Sequence, residues 1–167
     1  MTFDNFVAVR LGALVRYAAV LTGDRHLAQD IVQDVLVRAH FRWARITAMD
    51  QPEAFVRRMI VTEFLSWRRR LVRRTRLAAA GRADAPADTV ADHAHASAER
   101  VDVLSRLATL PRRQRAVVVL RYYDGRSTAE IADLLGCTEG AVRTYHSRAM
   151  STLRLAFDRD NDLEAIP

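Results

Sequence analysis

Three residues near the C-terminus, Ala132, Gly136 and Val142, stand four and then six positions apart, which is the spacing of a helix-turn-helix. The small residue lets a second helix cross closely, and the glycine can end the first helix in the left-handed conformation that other residues avoid. The branched residue then packs into the angle between the two helices. The pattern predicts a DNA-binding helix-turn-helix. An ordinary helical hairpin, in which the glycine is only a stop, is the alternative.

The second helix of such a motif lies in a major groove with its N-terminal residues toward the bases. Three residues fall on its inner face: Val142, Tyr145 and Ala149. On the outer face, Arg143 can bind a guanine edge with two hydrogen bonds, and Glu139 can accept one from a cytosine amino group. Arg148 and Arg154 are candidate phosphate contacts, which position a protein without specifying sequence. The candidate DNA-binding residues, each with a solvated helix face as its alternative, are Thr138, Glu139, Gly140, Arg143, Thr144, Ser147 and Arg148.

A second group of arginines lies in residues 55–70, FVRRMIVTEFLSWRRR, on one predicted helix. Aromatic rings beside guanidinium groups suit unstacked bases and single-stranded backbone better than a closed duplex. A core helix explains Phe55, Met59 and Phe64 equally well. The candidate contacts to a melted strand are therefore the polar and basic positions and the tryptophan: Arg57, Arg58, Thr62, Ser66, Trp67, Arg68, Arg69 and Arg70.

The elements that must position these residues are helices in a strongly basic chain. The 167 residues carry a formal net charge of +6, and all 26 basic residues are arginine. Residues 51–76 hold eight Arg and two acids, and residues 111–154 hold eight Arg and four acids, which indicates two anion-binding surfaces. The single cysteine excludes an internal disulfide framework. No apolar run nears the roughly 18 residues that span a bilayer, and no secretory pattern opens the chain, so we expect a cytoplasmic protein without membrane insertion.

An alanine-rich segment separates the two basic regions. Ten of the residues 78–98 are Ala, Gly81 and Pro86 interrupt them, and Val90 is the only large apolar side chain. Such a segment cannot offset the entropy of ordering and is interpreted as a flexible linker, with an Ala-rich helix as the alternative. The expected fold class is all-α, with two small helical domains. Its parts are a domain at 1–76, the linker at 77–98, a helix-turn-helix domain at 99–157 and an acidic tail at 158–167.

Local signals mark where the helices begin and end. In the N-terminal part a stop, a cap and a first helical residue are predicted at Gly23, Asp24 and Pro52, with a polar connection at 45–51. Ser127 with Glu130 three residues later is a capping-box signature. The last helix is expected to end near Ala156. The helix that follows Asp24 has one polar face, which carries Asp30, Gln33, Asp34 and Arg38.

Three segments in this order resemble the conserved segments of bacterial sigma factors. Residues 21–39, LTGDRHLAQDIVQDVLVRA, resemble the polymerase-docking segment, and residues 51–70, QPEAFVRRMIVTEFLSWRRR, resemble the segment that melts and reads the minus-ten element. Residues 110–154 resemble the domain that reads the minus-thirty-five element. The chain therefore resembles a two-domain extracytoplasmic-function sigma factor, in particular an actinobacterial subgroup.

This resemblance implies a non-enzymatic initiation factor without a cofactor. The implied partners are core RNA polymerase and promoter DNA, with an anti-sigma factor as a candidate third. The residues implied to meet the largest polymerase subunit are Asp30, Gln33 and Asp34, and Arg38 is added from the same polar face. The helix around Thr62, Ser66 and Arg69 is implied to face minus-ten DNA.

Other classes of protein fit parts of the chain. A response-regulator-type activator ends in a similar helix-turn-helix, but residues 1–76 lack the alternating strands that its N-terminal half needs. His93 and His95 could begin a metal site, yet no third ligand is near them, and no catalytic set surrounds the other histidines. Cys137 is interpreted as a small buried residue, since a redox role needs an accessible thiol of low pKa. No catalytic residue and no metal site are predicted.

Overall fold

The computed structural model describes residues 1–78 and 98–164, and all regular secondary structure in these ranges is helical. The chain divides into two compact units, Met1–Asp92 and His93–Pro167. The expected all-α fold class is confirmed. The segment interpreted as a linker lies outside the described residues apart from its two ends, and so do His93 and His95.

The helices of the first unit are α1 (Phe3–Thr22), α2 (Arg25–His40), α3 (Trp43–Ile46) and α4 (Pro52–Ala78). Gly23 ends α1 with a φ of 70°, a conformation that costs glycine little. The Asp24 carboxylate then accepts hydrogen bonds from the backbone N–H groups of His26 and Leu27, at 2.8 and 3.1 Å, and so begins α2. The predicted stop at Gly23, cap at Asp24 and helix start at Pro52 are confirmed.

The core of the first unit forms where α1, α2 and α4 pack together. The larger buried side chains from α1 and α2 are Phe6, Leu14, Tyr17, Leu21, Ile31, Val32 and Val35. From α4, the buried apolar residues are Val56, Ile60, Val61 and Phe64. Of the residues that a core helix would explain, Phe64 is buried, whereas Phe55 and Met59 are only half-buried. Burying a side chain of this size contributes about 1.5–3 kcal/mol.

α1 is long and apolar enough to cross a membrane by length and composition alone, with a mean hydropathy of 1.3 over an 18-residue window. Arg10 and Arg16 interrupt the apolar residues of this helix, so it contains no uninterrupted apolar run of that length. In the structure α1 is a core helix, because Leu14, Tyr17 and Ala18 are fully buried and the helix packs on α2 and α4.

The helices of the second unit are α5 (Ala98–Thr109), α6 (Arg112–Tyr122), α7 (Thr128–Leu135) and α8 (Glu139–Glu164). α8 packs against α5, α6 and α7, and α6 packs against both α7 and α8. The buried run of α6 is 115–120, and the other helices add Leu107, Ile131, Leu135, Val142 and Ala149. Leu110 is buried in the connection between α5 and α6. The unit therefore has a core of its own.

A buried arginine that the sequence did not single out joins α5 to α6. Arg115 is 6% exposed, and its Nη2 donates hydrogen bonds to the carbonyl oxygens of Ala108 and Leu110, the latter at 3.0 Å. These bonds satisfy acceptors that the end of a helix leaves unpaired. Burial, helped by the charge of Arg112, lowers the pKa of Arg115 to about 10, so the side chain remains charged at neutral pH.

Two segments are more helical than expected. α8 continues to Glu164 rather than ending near Ala156, so residues 158–164 of the expected acidic tail belong to the helix. No Gly or Pro lies between Gly140 and Pro167, and nothing in that stretch breaks a helix. The expected polar connection at 45–51 begins inside the short α3, where Ile46 is buried.

Candidate functional site

The turn between α7 and α8 has the geometry that its sequence predicts. Ser127 and Glu130 form a reciprocal capping box, with the Ser127 N–H donating to Glu130 Oε2 at 2.8 Å and the Glu130 N–H to Ser127 Oγ at 3.2 Å. Gly136 ends α7 with a φ of 60°. Thr138 Oγ1 accepts a hydrogen bond from the Ala141 N–H at 3.2 Å and begins α8. The helix-turn-helix is thereby confirmed as a structure.

The first turns of α8 separate into the two faces expected. Val142 and Ala149 are buried and Tyr145 is half-buried. The residues expected to face DNA are all exposed: Thr138, Glu139, Gly140, Arg143, Thr144, Ser147 and Arg148. Two of them already interact, because Arg143 Nη1 donates to Glu139 Oε2 at 3.2 Å. The candidate base readers thus form a pair one helical turn apart.

The electrostatics of the α7 N-terminus are dominated by Glu130. The backbone N–H of Ser127, then the Arg126 guanidinium and the Ser127 hydroxyl, lower the pKa of Glu130 from 4.5 to about 2. The side chain is therefore ionised throughout the neutral range and complements the positive end of the helix dipole.

Tyr122 and His146 form a contact beside the recognition helix that the sequence did not predict. The Tyr122 hydroxyl lies 2.9 Å from His146 Nε2, and the ring centroids are 5.8 Å apart. The two residues come from α6 and α8, which pack against each other. No local signal could reveal this pair, because its members are 24 positions apart.

A polar stripe on α4 carries part of the second candidate DNA surface. Arg58 and Thr62 are exposed and Ser66 is half-buried, and the spacing of four residues places them in line along the helix. Thr62 and Ser66 donate their hydroxyls to backbone carbonyls of the same helix. Trp67 is half-buried. Arg68, Arg69 and Arg70 belong to α4, and their side chains lie outside what the structure describes.

Arg57 lies apart from this stripe. Its Nη2 donates to Glu53 Oε1 at 2.7 Å, and its guanidinium carbon is 5.2 Å from the centre of the buried Tyr17 ring. Glu53 also bonds Arg10 of α1, at 3.1 Å. An ion pair and a cation–π contact thus engage the Arg57 side chain between α4 and α1. Its contact with DNA stays a prediction.

The acidic face of α2 is exposed as predicted. Asp30, Gln33 and Asp34 all reach solvent, while Ile31, Val35 and their neighbours are buried on the opposite side. An apolar groove of about 670 Å³ runs alongside, between α1 and α2. Its lining includes Phe3, Val7, Leu11, Val32, Gln33, Leu36, Val37 and Phe41. Gln33 thus belongs both to the acidic face and to the rim of the groove.

Arg38, expected on this same face, pairs with a residue of α4. Its Nη2 lies 2.5 Å from Glu63 Oε2 on α4, and its Nε donates to the Asp34 carbonyl oxygen at 3.2 Å. The sequence could not predict this pairing, because a polar residue on a helical wheel carries no information about a partner 25 positions away.

No group of three or more potential metal ligands occurs within residues 1–78 and 98–164. Cys137 is a free thiol, half-buried in the turn before α8.

Both units match known protein families. Residues 6–74 match the family model for Sigma-70 region 2, and residues 100–153 match the model for Sigma-70, region 4. The first range contains α2 and the described surface of α4, and the second contains the helix-turn-helix. The fold and the helix-turn-helix therefore define a protein of the sigma-70 class.

Proteins that are similar to this chain over nearly its whole length identify a subgroup of this class. The RNA polymerase sigma-E factor of Streptomyces avermitilis is 33% identical over 167 residues, which cover 99% of this chain and 91% of that protein. The ECF RNA polymerase sigma factor SigL of Mycobacterium tuberculosis is 35% identical over 92% of this chain and 85% of its own. The chain belongs to the extracytoplasmic-function (ECF) sigma factors, which are initiation factors and not enzymes, and it directs transcription initiation from promoters.

Solved structures share the fold. The sigma factor RpoE from Bartonella quintana, crystallised with the anti-sigma factor NepR, superposes with a TM-score of 0.64 at 24% identity, covering 93% of this chain and 96% of RpoE. CnrH, solved with the cytosolic domain of CnrY, gives a TM-score of 0.55 at 26% identity, covering 95% of this chain and 88% of CnrH. The match of residues 6–74 to sigma region 2 leaves no support for the response-regulator-type activator.

Proposed function

We propose that the two units divide promoter recognition between them. The outer face of α8 reads the upstream, minus-thirty-five element as duplex DNA, and the stripe of Arg58, Thr62 and Ser66 on α4, extended by Arg69 and Arg70, binds the minus-ten element as its strands separate. The observation that carries this proposal is the pair of separate surfaces in one chain: an exposed recognition helix after a helix-turn-helix, and an exposed polar stripe on a basic helix.

Core RNA polymerase binds, in this proposal, to the acidic face of α2 at Asp30, Gln33 and Asp34. Exposed carboxylates on a rigid helix suit a basic partner surface, and the adjacent groove between α1 and α2 offers apolar area next to them. Binding of this kind requires no cofactor. The protein acts in the cytoplasm, where polymerase and promoter DNA are found.

An anti-sigma factor is the third proposed partner. Support comes from CnrH, the relative at 26% identity that was solved with the cytosolic domain of CnrY. Such a partner would compete with polymerase if it covered the acidic face of α2.

Run-off transcription tests the proposed function. Purified protein is added to core polymerase on genomic fragments, with nucleoside triphosphates as substrates and no other factor, and start sites are mapped. We expect discrete transcripts whose upstream regions share two conserved elements. Absence of any specific transcript on every template would refute the proposal, and transcripts sharing only one element would refute the division between the units.

A further inference from the structure

Within the described residues, an ion pair joins α2, the proposed polymerase-docking helix, to α4, the proposed minus-ten helix. Arg38 on α2 and Glu63 on α4 approach to 2.5 Å, and the Glu63 side chain is 2% exposed whereas that of Arg38 is 40% exposed. A carboxylate this deeply buried is strongly unfavourable without a charged partner. The pair therefore gives α2 and α4 a directional contact between two defined atoms.

Both members of the pair lie next to residues of the proposed surfaces. Arg38 also bonds the backbone carbonyl of Asp34, one turn back on the docking face. Glu63 follows the exposed Thr62 directly, and its own carbonyl oxygen accepts the Ser66 hydroxyl at 3.1 Å. The Arg38 guanidinium thus connects the turn of α2 that carries Asp34 to the part of α4 that carries Arg58, Thr62 and Ser66. These three residues are called the minus-ten stripe below.

This part of α4 also packs through apolar side chains, which do not supply the same constraint. Its other buried residues here are Ile60, Val61 and Phe64, and apolar burial is non-directional. A helix held by such contacts alone can rotate or slide slightly at low cost. A charged hydrogen bond with fixed donor and acceptor atoms removes that freedom.

We propose that Arg38 is a positioning residue: through Glu63 it sets the orientation of the minus-ten stripe of α4 relative to the docking face of α2, and it does not itself bind polymerase. The inference rests on the proposed function. In this inference Arg38 acts in promoter opening. Affinity for polymerase comes from Asp30, Gln33 and Asp34.

The test compares four proteins on a promoter found by run-off transcription: wild type, Arg38→Met with Glu63→Leu, Glu63→Gln, and the control Arg25→Met at an exposed position of α2. The double substitution replaces both charges by apolar groups of similar volume, which keeps a buried site folded better than removing one partner. Glu63→Gln keeps a hydrogen-bond acceptor for Arg38. Urea unfolding, affinity for core polymerase and the rate of open-complex formation are measured for each.

We expect the double variant to be as stable as the wild type and to bind core polymerase within twofold of it, but to form open complexes at least tenfold more slowly. Glu63→Gln should open the promoter within threefold of the wild-type rate, and Arg25→Met should match the wild type.

A double variant that opens the promoter normally would show that the pair only stabilises the fold. Loss of core binding in the double variant, with Arg25→Met unaffected, would make Arg38 a polymerase contact and overturn the inference. An inactive wild type would refute the proposed function itself, together with this inference.

Discussion

Single residues on the outer face of α8 are the proposed readers of DNA sequence. Arg143 is exposed immediately after the buried Val142, and its guanidinium is paired with the Glu139 carboxylate one turn earlier on α8. A bidentate Arg–guanine contact is worth about 1–3 kcal/mol of discrimination against other bases. A phosphate contact instead adds affinity that is nearly the same for every sequence.

Arg143→Ala should therefore relax the preference at one position of the upstream element, with a loss of about 1–3 kcal/mol on the best sequence only. Arg154→Ala, at an exposed position further along α8, should weaken all sequences alike and lower the salt slope by about one. Binding to a panel of single-base promoter variants at several salt concentrations separates the two effects. If both substitutions weaken every variant equally, Arg143 is a phosphate contact and base reading lies elsewhere on α8.

On α2, the exposed Asp34 offers a second test at the scale of one residue. Asp34→Arg reverses a charge in the middle of the proposed docking face, and because the side chain is exposed the helix should remain folded. We expect core polymerase binding to fall at least tenfold with an unchanged far-ultraviolet circular dichroism spectrum. Asp50→Arg, the same charge reversal at another exposed position of the same unit, should leave binding intact. If Asp34→Arg binds core polymerase as well as Asp50→Arg does, the docking surface does not lie on this face of α2.

At the scale of elements, the sequence predicts local features well and cross-helix contacts poorly. The capping box of Ser127 and Glu130 and the stop at Gly136 depend on residues within one turn, so their spacing is sufficient to predict them. The pairing of Arg38 with Glu63 depends on how α2 and α4 cross, which no periodicity reveals. The same holds for Arg57, which its basic segment marked as a DNA contact and which the fold engages against Tyr17.

Replacing each of the two glycines near the turn between α7 and α8 by alanine should change the stability of the second unit in opposite directions. Gly136 has a φ of 60°, where a side chain is strained although the space around it is open, so Gly136→Ala should destabilise the second unit by about 1–2 kcal/mol. Gly140 is helical with only an ordinary contact, 3.8 Å to Thr138 Oγ1, and Gly140→Ala should stabilise the unit by about 0.5–1 kcal/mol. Urea unfolding followed by circular dichroism measures both. Equal effects would mean that the turn does not require a left-handed residue.

The capping box makes the stability of α7 depend on pH. Because the pKa of Glu130 falls from 4.5 to about 2 on folding, its ionised form stabilises the folded state above pH 4.5, and this contribution is lost as the pH falls from there toward 2. Glu130→Gln keeps an acceptor but no charge. We expect the variant to be less stable than the wild type at pH 6 and the difference to shrink steadily between pH 4.5 and pH 2. A difference that stays constant across this range would mean that the charge contributes nothing.

At the scale of the whole molecule, two units share one chain but each has its own buried residues. Fully buried isoleucines occur in both, Ile60 on α4 and Ile131 on α7. Both tryptophans, Trp43 and Trp67, lie in the first unit, so tryptophan fluorescence follows that unit alone while circular dichroism follows all helices. This difference in probes allows the independence of the units to be measured in the full-length protein.

Ile60→Val and Ile131→Val each remove one methylene from a fully buried side chain, which typically costs about 0.5–1.5 kcal/mol. If the units unfold independently, Ile60→Val lowers the urea midpoint measured by tryptophan fluorescence. Ile131→Val then leaves the fluorescence midpoint unchanged and lowers only the midpoint of the circular dichroism transition that belongs to the second unit. The two substitutions are matched in chemistry and burial, so each controls for the other. A fluorescence midpoint that shifts equally in both variants would show a single cooperative unit, and promoter recognition would then rest on one body rather than on two separately folded surfaces.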